Sequence, residues 1–190
     1  MGKIHAGATL TPHFREFLPA WVAAQPWCAA PPEALRPTGF FRFEDPAGEV
    51  GVETHLLHDG QDVYQVPLTY RPAPLAGGVL VARAEHSVLG TRWIHDAVTD
   101  PVWIAAVLDL VARNGVSDFA SRGPIGPAEA RGRALRPVPF TPETITIDLD
   151  RRIVRDEPGD AAGVVTGWWH HDGVLVTGRL AVLRQTGPNT

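Results

Sequence analysis

The sequence predicts an α+β fold: a curved antiparallel β-sheet packed on one main buried helix, with a short peripheral helix beside it. Three observations carry this. Short runs rich in Val, Leu, Ile, Phe and Thr, bounded by turn residues, recur from Thr38 to Ile94 and again from Thr144 to Arg184. Two Asp-Gly pairs, at 59–60 and 172–173, sit between such runs, and each follows a histidine. A single strongly apolar segment opens with Asp100-Pro101, a helix N-cap followed by proline at the first helical position.

The elements follow in order. Lys3 to Leu10 reads as a short strand, and Thr11-Pro12 as the cap of a short helix through Phe14, Phe17 and Leu18. Pro19, Pro26, Pro31 and Pro32 then predict irregular chain. Phe40, Phe41 and Phe43 mark one strand, and Val50, Val52, Leu56 and Leu57 the next. The turn at His58-Asp59-Gly60-Gln61 leads into a partner strand over residues 62–71, whose Pro67 predicts an edge position or a bulge. Val79 to Ile94 reads as a strand or pair interrupted at Gly90. In the main helix Trp103, Ile104, Val107, Leu108, Leu110 and Val111 cover most of the circumference, so it needs burial on more than one side, and Gly115 suits its C-terminal cap. Residues 114–142, rich in Gly, Pro, Ala and Arg, read as a long loop. Alternation in Thr144 to Leu149 marks a half-buried strand, and a final hairpin turns at Asp172-Gly173. The total is six to eight strands, the size such sheets commonly reach.

At 190 residues, 44% hydrophobic and 20% charged, the chain suits one globular domain. It divides into an α+β region over 1–113, the loop 114–142, and strands over 143–190 that complete the same sheet. The net charge of −4 argues against a nucleic-acid partner, which needs a basic face. One cysteine, Cys28, excludes an intramolecular disulfide and a cysteine zinc site, and reads as a buried thiol. The N-terminus lacks a secretory apolar core, Ala6 breaks the myristoylation pattern after Gly2, and no run has the length of a membrane span. The expectation is a cytoplasmic protein with no membrane partner.

The most chemically loaded run is HSVLGTRWIHDAVTDP, from His86 to Pro101. A metal site needs converging ligands. His86 and His95 are nine residues apart, which puts them on opposite faces of a regular strand or helix, and the neighbours His95 and Asp96 diverge too. Trp93 is expected in the core, leaving Arg92, His95 and Asp96 as candidate ligand or partner contacts. In Trp168-Trp169-His170-His171 one indole should be core and the other at an edge, so Trp168 and Trp169 are the other candidate contacts, as a platform for a sugar ring or a subunit surface. Arg131, Arg133 and Arg136 could meet an anion but read more simply as solvated loop residues. There is no nucleophile elbow, phosphate loop or HExxH. No catalytic residue, metal or cofactor is expected.

The series DPAGEVGVE at 45–53, YQVPLTYR at 64–71, HSVLGTRWIHDA at 86–97 and Asp100-Pro101-Val102 resembles the N-terminal cap of actinobacterial maltokinases, and is closer still to small stand-alone proteins carrying that cap without a kinase. The resemblance covers residues 1–113. It implies a cystatin-like curved antiparallel sheet with a helix, and a setting in α-glucan, maltose or trehalose metabolism. The kinases' catalytic residues belong to lobes with no counterpart here, so none carries over. The resulting expectation is a non-catalytic binding or regulatory protein whose partner is a sugar kinase or glucan-metabolising enzyme, with a sugar as ligand. The alternatives are a small-ligand binder or unrecognised enzyme on the concave sheet face, which requires a pocket gathering at least two of His86, Arg92, His95 and Asp96, and a structural subunit forming a homodimer.

Overall fold

The computed structural model describes residues 7–118, 128–156 and 159–187. Ten strands and two α-helices run in the order β1 (Leu10–Thr11), α1 (Phe14–Ala23), β2 (Arg36–Phe43), β3 (Gly51–His58), β4 (Val63–Arg71), β5 (Val79–His86), β6 (Gly90–Asp96), α2 (Pro101–Ala112), β7 (Ala128–Ala134), β8 (Ile145–Val154), β9 (Gly163–His171) and β10 (Val174–Gln185). The class is α+β, an open antiparallel sheet packed on a helix. It has more strands than the six to eight expected, and β7 is one that fell in the expected loop.

The sheet has two halves. Six strands lie in the order β2-β3-β4-β6-β5-β1, and four in the order β8-β10-β9-β7. They join where Tyr64 of β4 pairs with Arg152 of β8. Pro67 therefore sits in a central strand, not at an edge or bulge: β4 pairs β3 throughout. On its other side β4 pairs β6 only from Leu68 onward and β8 only at Tyr64, so Pro67 falls in the gap between partners, where no ladder is broken. Gln65 spans this gap, donating to the carbonyls of Asp150 and Leu180.

Alternation along the strands builds two cores. Leu57, Tyr64, Val66, Leu68 and Ile94 face α1, packing on Leu18 and Val22. Phe41, Val52 and Leu56 face the other way, toward α2 and the second half-sheet. There Trp103, Val107, Leu108, Leu110 and Val111 of α2 meet Ala128, Ala130, Val165, Trp169 and Leu183. The helix is buried on more than one side because the second half-sheet folds back over it. Each of the larger aliphatic side chains among them stabilises by roughly 1.5–3 kcal/mol on burial. The fold-back is tied by backbone pairing of Arg42 with Asp118 and by the Thr38 hydroxyl donating to the His170 carbonyl at 3.2 Å.

Several boundaries differ from expectation. Thr11 is taken by β1, pairing with Glu85, so α1 is capped by His13 instead. Its Nδ1 accepts from Arg15 N at 3.3 Å, and Glu16 returns a bond to His13 N at 2.8 Å. Pro19 lies inside α1 rather than ending it: one lost backbone bond is outweighed by burial of Leu18 and Val22. The start of the expected first strand, Lys3 to Ala6, lies outside the described residues. Asp100 caps α2 as expected, accepting from Val102 N at 2.9 Å. At the other end Asn114, not Gly115, takes the left-handed position at φ 49°. The bonds Asn114 N to Val111 O and Gly115 N to Leu110 O close a Schellman motif. Residues 128–134, expected in a loop, are β7. Ala128, Ala130 and Gly132 alternate toward α2 while Arg131 and Arg133 point out, and residues this small carry little hydrophobic periodicity.

Candidate functional site

The residues of the loaded run are separated, each with partners of its own. Arg92 lies on the α1 face and donates to the Leu89 carbonyl at 3.0 Å. Asp96 shares that face and pairs with Arg151 of β8, so it links the two half-sheets. The Arg151 guanidinium in turn lies 5.3 Å from the Trp27 ring centre. His95 points to the α2 face, where its Nε2 accepts from Leu75 N at 3.2 Å. Burial holds its pKa below the ordinary value, with Asp100 and Arg71 pulling in opposite directions. His86 is engaged in its own turn, its Nδ1 accepting from Val88 N and Leu89 N. Trp93, expected in the core, is only half-buried, with Arg83 over its ring at 5.3 Å.

The other candidates also have local explanations. Trp169 is core, 2% exposed. Trp168 is half-buried under Arg131, whose guanidinium lies 4.8 Å from its ring. Arg131 also pairs with Glu129, and Arg136 with Asp160. Cys28 is half-buried and not fully enclosed, its thiol 3.7 Å from the Ala30 carbonyl. Among the described residues no group of three or more His, Cys, Asp or Glu could hold a metal ion. No helix among them is long and apolar enough to cross a membrane.

Two polar assemblies, one buried and one partly buried, were not visible in the sequence. On the α2 face Asp100 is fully buried and bound by Arg71 Nε and Nη2, both at 2.6 Å. Burial pushes the Asp100 carboxyl up, but bonds from Arg71 and the Val102 amide, with the Thr69 hydroxyl nearby, outweigh it and hold the pKa below the usual range. On the α1 face Glu53 Oε1 lies 3.3 Å from Arg42 Nε and its Oε2 3.4 Å from His55 Nε2, with the Tyr70 hydroxyl 3.1 Å from the same His55 nitrogen. Burial pushes Glu53 up, yet His55, Arg42 and Tyr70 together keep it below the usual range. Burial and the neighbouring Glu53 charge push the Tyr70 phenol well up. A carboxylate, an imidazole and a phenol in contact are the parts of an acid–base site. Here the Phe14 and Phe40 rings, 4.5 and 5.9 Å from His55, leave the imidazole 3% exposed, while Glu53 keeps 23% of its side chain exposed, so the assembly lies at the margin of the core. Only cross-strand register brings Glu53, His55 and Tyr70 together, which is why spacing along the chain did not reveal them.

Among the described residues, clefts open at the surface in at least two places. One, of about 520 Å³, lies between α1 and the short turn at Pro32–Ala34. Two of its charged groups are already used: Glu16 in the α1 cap, and Arg36 on the carbonyls of Glu33 and Leu35. The other, of about 380 Å³, lies where the two half-sheets meet, between the tips of the β3–β4 and β9–β10 hairpins. His58, Gln61 and Asp62 come from the first tip, His171, Trp169 and Thr177 from the second, and Arg155 and Ile153 from the end of β8. The two histidines that precede the Asp-Gly turns thus meet, their rings edge-to-face with centres 4.6 Å apart. Neither cleft is lined by His86, Arg92, His95 or Asp96.

The chain is an α+β protein in which an open antiparallel sheet packs on a helix and ion pairs such as Arg71–Asp100 and Arg151–Asp96 tie elements together. Residues 21–100 match the family described as the maltokinase N-terminal cap domain. The match takes in β2 to β6 and only the last turn of α1, and ends on Asp100, the cap of α2. No curated protein matches the chain.

Proposed function

We propose that this protein is a non-catalytic binding or regulatory module of α-glucan, maltose or trehalose metabolism, acting on a sugar kinase or a glucan-metabolising enzyme. The observation that carries this reading is the maltokinase cap match over residues 21–100, within which several of the ionisable groups are engaged by neighbours in the fold. Glu53 and His55 bond to each other, Arg71 to Asp100, and Asp96 to Arg151. Ionic groups engaged in this way hold elements of the fold together, which supports a segment that presents a surface rather than one that turns over a substrate.

The test is to add the purified protein to a maltokinase whose own cap has been deleted, and to glucan-metabolising enzymes. Association by analytical ultracentrifugation, with a change in the enzyme's KM or thermal stability, is expected. Absence of association with every such enzyme, together with unchanged kinetics and no glucan binding by calorimetry, overturns the reading.

A further inference from the structure

The cleft between the hairpin tips has features that the packing of the fold does not use. Trp169 is 2% exposed, yet its Nε1–H has no hydrogen-bond partner. His58 Nδ1 is likewise buried and unpartnered. Both residues line the same cleft. A buried indole N–H normally finds an acceptor, and an unserved buried polar atom is destabilising, so two on one cleft wall point to an occupant.

The lining restricts what that occupant is. Around His58 the carboxylates Asp59, Asp62 and Asp172 are matched by the guanidiniums Arg36, Arg152 and Arg155, three charges of each sign. Asp62 is already paired with Arg152 at 3.2 Å, and His171 Nε2 stands 3.7 Å from Asp172. Burial and the neighbouring His171 keep His58 below the ordinary imidazole pKa, so neutral at pH 7. The site therefore offers no net charge to an ion. It offers one obligate donor in Trp169, a nitrogen of either role in His58, an amide in Gln61, and a Thr177 hydroxyl whose proton goes to the Gly167 carbonyl, leaving its lone pairs. Val63, Ile153 and Val176 supply apolar walls. A hydroxyl both donates and accepts, so a ring carrying several of them, with C–H faces between, matches this mixture. At about 380 Å³ the cleft falls at the lower end of small-molecule sites, which suits one or two sugar rings and not a long polymer strand.

We propose that the cleft lined by His58, Gln61, Trp169 and His171 binds a small uncharged polyhydroxylated ligand of mono- or disaccharide size, with Trp169 Nε1 as a donor to one of its oxygens. This deepens the reading of the chain as a binding module and rests on it. The enzyme-association experiment above can fail while this site binds, and the reverse, so the two are separable.

The test is a titration of the full chain followed by NMR at the indole N–H and imidazole resonances, assigned with Trp169→Phe and Trp168→Phe. Glucose, maltose and trehalose are the probes, with inorganic phosphate and Zn²⁺ as contrasting ones. The expected result is a saturable shift of the Trp169 indole and the His58 ring with at least one sugar, while the Trp168 indole stays put. Affinity should be flat between pH 7 and 8, and Gln61→Ala, an exposed substitution that leaves the core intact, should weaken it several-fold. No shift with any sugar at 100 mM overturns the proposal. So does a response to phosphate or Zn²⁺ alone, or one that strengthens steadily as the pH falls.

Discussion

Asp100 holds Arg71 through two parallel 2.6 Å hydrogen bonds and at the same time caps α2 at the Val102 amide. One carboxylate thus fixes the position of the buried helix on the sheet. Asp100→Ala removes the cap and leaves Arg71, whose side chain is 20% exposed, without its counter-charge. The expected loss is about 3 kcal/mol, combining roughly 1 kcal/mol for a cap with the cost of a stranded, largely buried charge. Asp100→Asn keeps an acceptor for Val102 and should lose clearly less. Urea unfolding of the two variants measures this, and equal losses would mean that the ion pair contributes nothing beyond the cap.

Stability should fall in two stages on acidification. His95, His58 and His13 all have pKa values below 6.5, each chiefly from burial. The unfolded chain therefore takes up protons first, and stability drops as the pH falls below about 6.5 until the folded values are reached. Asp100, Glu53 and Asp59 are held below their ordinary carboxylate values, so their contribution is present above about 4 and is lost as the pH falls through the folded values. Urea midpoints at pH 7.5, 5.5 and 3.5 should decrease in that order. His95→Gln should flatten the first step, since His95 is the deepest of the three histidines at 2% exposure. A midpoint that rises between pH 7.5 and 5.5 would reverse the sign argued here.

Much of the fold was legible because its elements carry local signals. Asp100-Pro101 announces α2, Asp59-Gly60 and Asp172-Gly173 announce hairpins, and the alternation from Ile145 to Leu149 announces β8. The spacing argument that His95 and Asp96 diverge agrees with their placement on opposite faces of β6. What was not legible depends on register and on the fold-back of the second half-sheet. No local pattern tells that Glu53 will lie diagonal to Tyr70, or that His58 and His171, 113 positions apart, will touch. The strand β7 was missed for a related reason. Its inward residues are small to admit α2, and small residues look like loop.

Asp96 and Arg151 test how firmly the two half-sheets are coupled. Their side chains are only 8% and 15% exposed, and backbone pairing between the halves is confined to Tyr64 and Arg152. Asp96→Ala strands a mostly buried guanidinium and should cost about 3 kcal/mol. Asp96→Ala combined with Arg151→Met removes both charges while keeping an apolar stem against Trp27, and should recover most of that loss. A double-mutant cycle by chemical denaturation reads the coupling directly. Additive losses would show that the pair does not join the halves.

Gly132 decides how closely β7 can approach α2. A Cβ built there would stand 2.4 Å from the Leu110 carbonyl oxygen, 2.6 Å from the Leu110 carbonyl carbon and 2.7 Å from Val111 N. All three are backbone atoms of a helix whose own C-terminus is locked by the Schellman bonds, so no side chain can swing aside to admit the methyl group. Gly132 N also donates to the Gly115 carbonyl at 3.0 Å, which fixes the glycine from the other direction. Gly132→Ala must therefore push β7 and α2 apart and loosen the packing around Leu110 and Val111. The expected cost is at the upper end of the overpacking range, about 3 kcal/mol. Gly115→Ala is the matched control, since its nearest neighbour is an ordinary 3.5 Å away and its φ is not in the left-handed region. Thermal melts of the two should differ by several degrees. If they coincide, β7 is not seated on α2 as described.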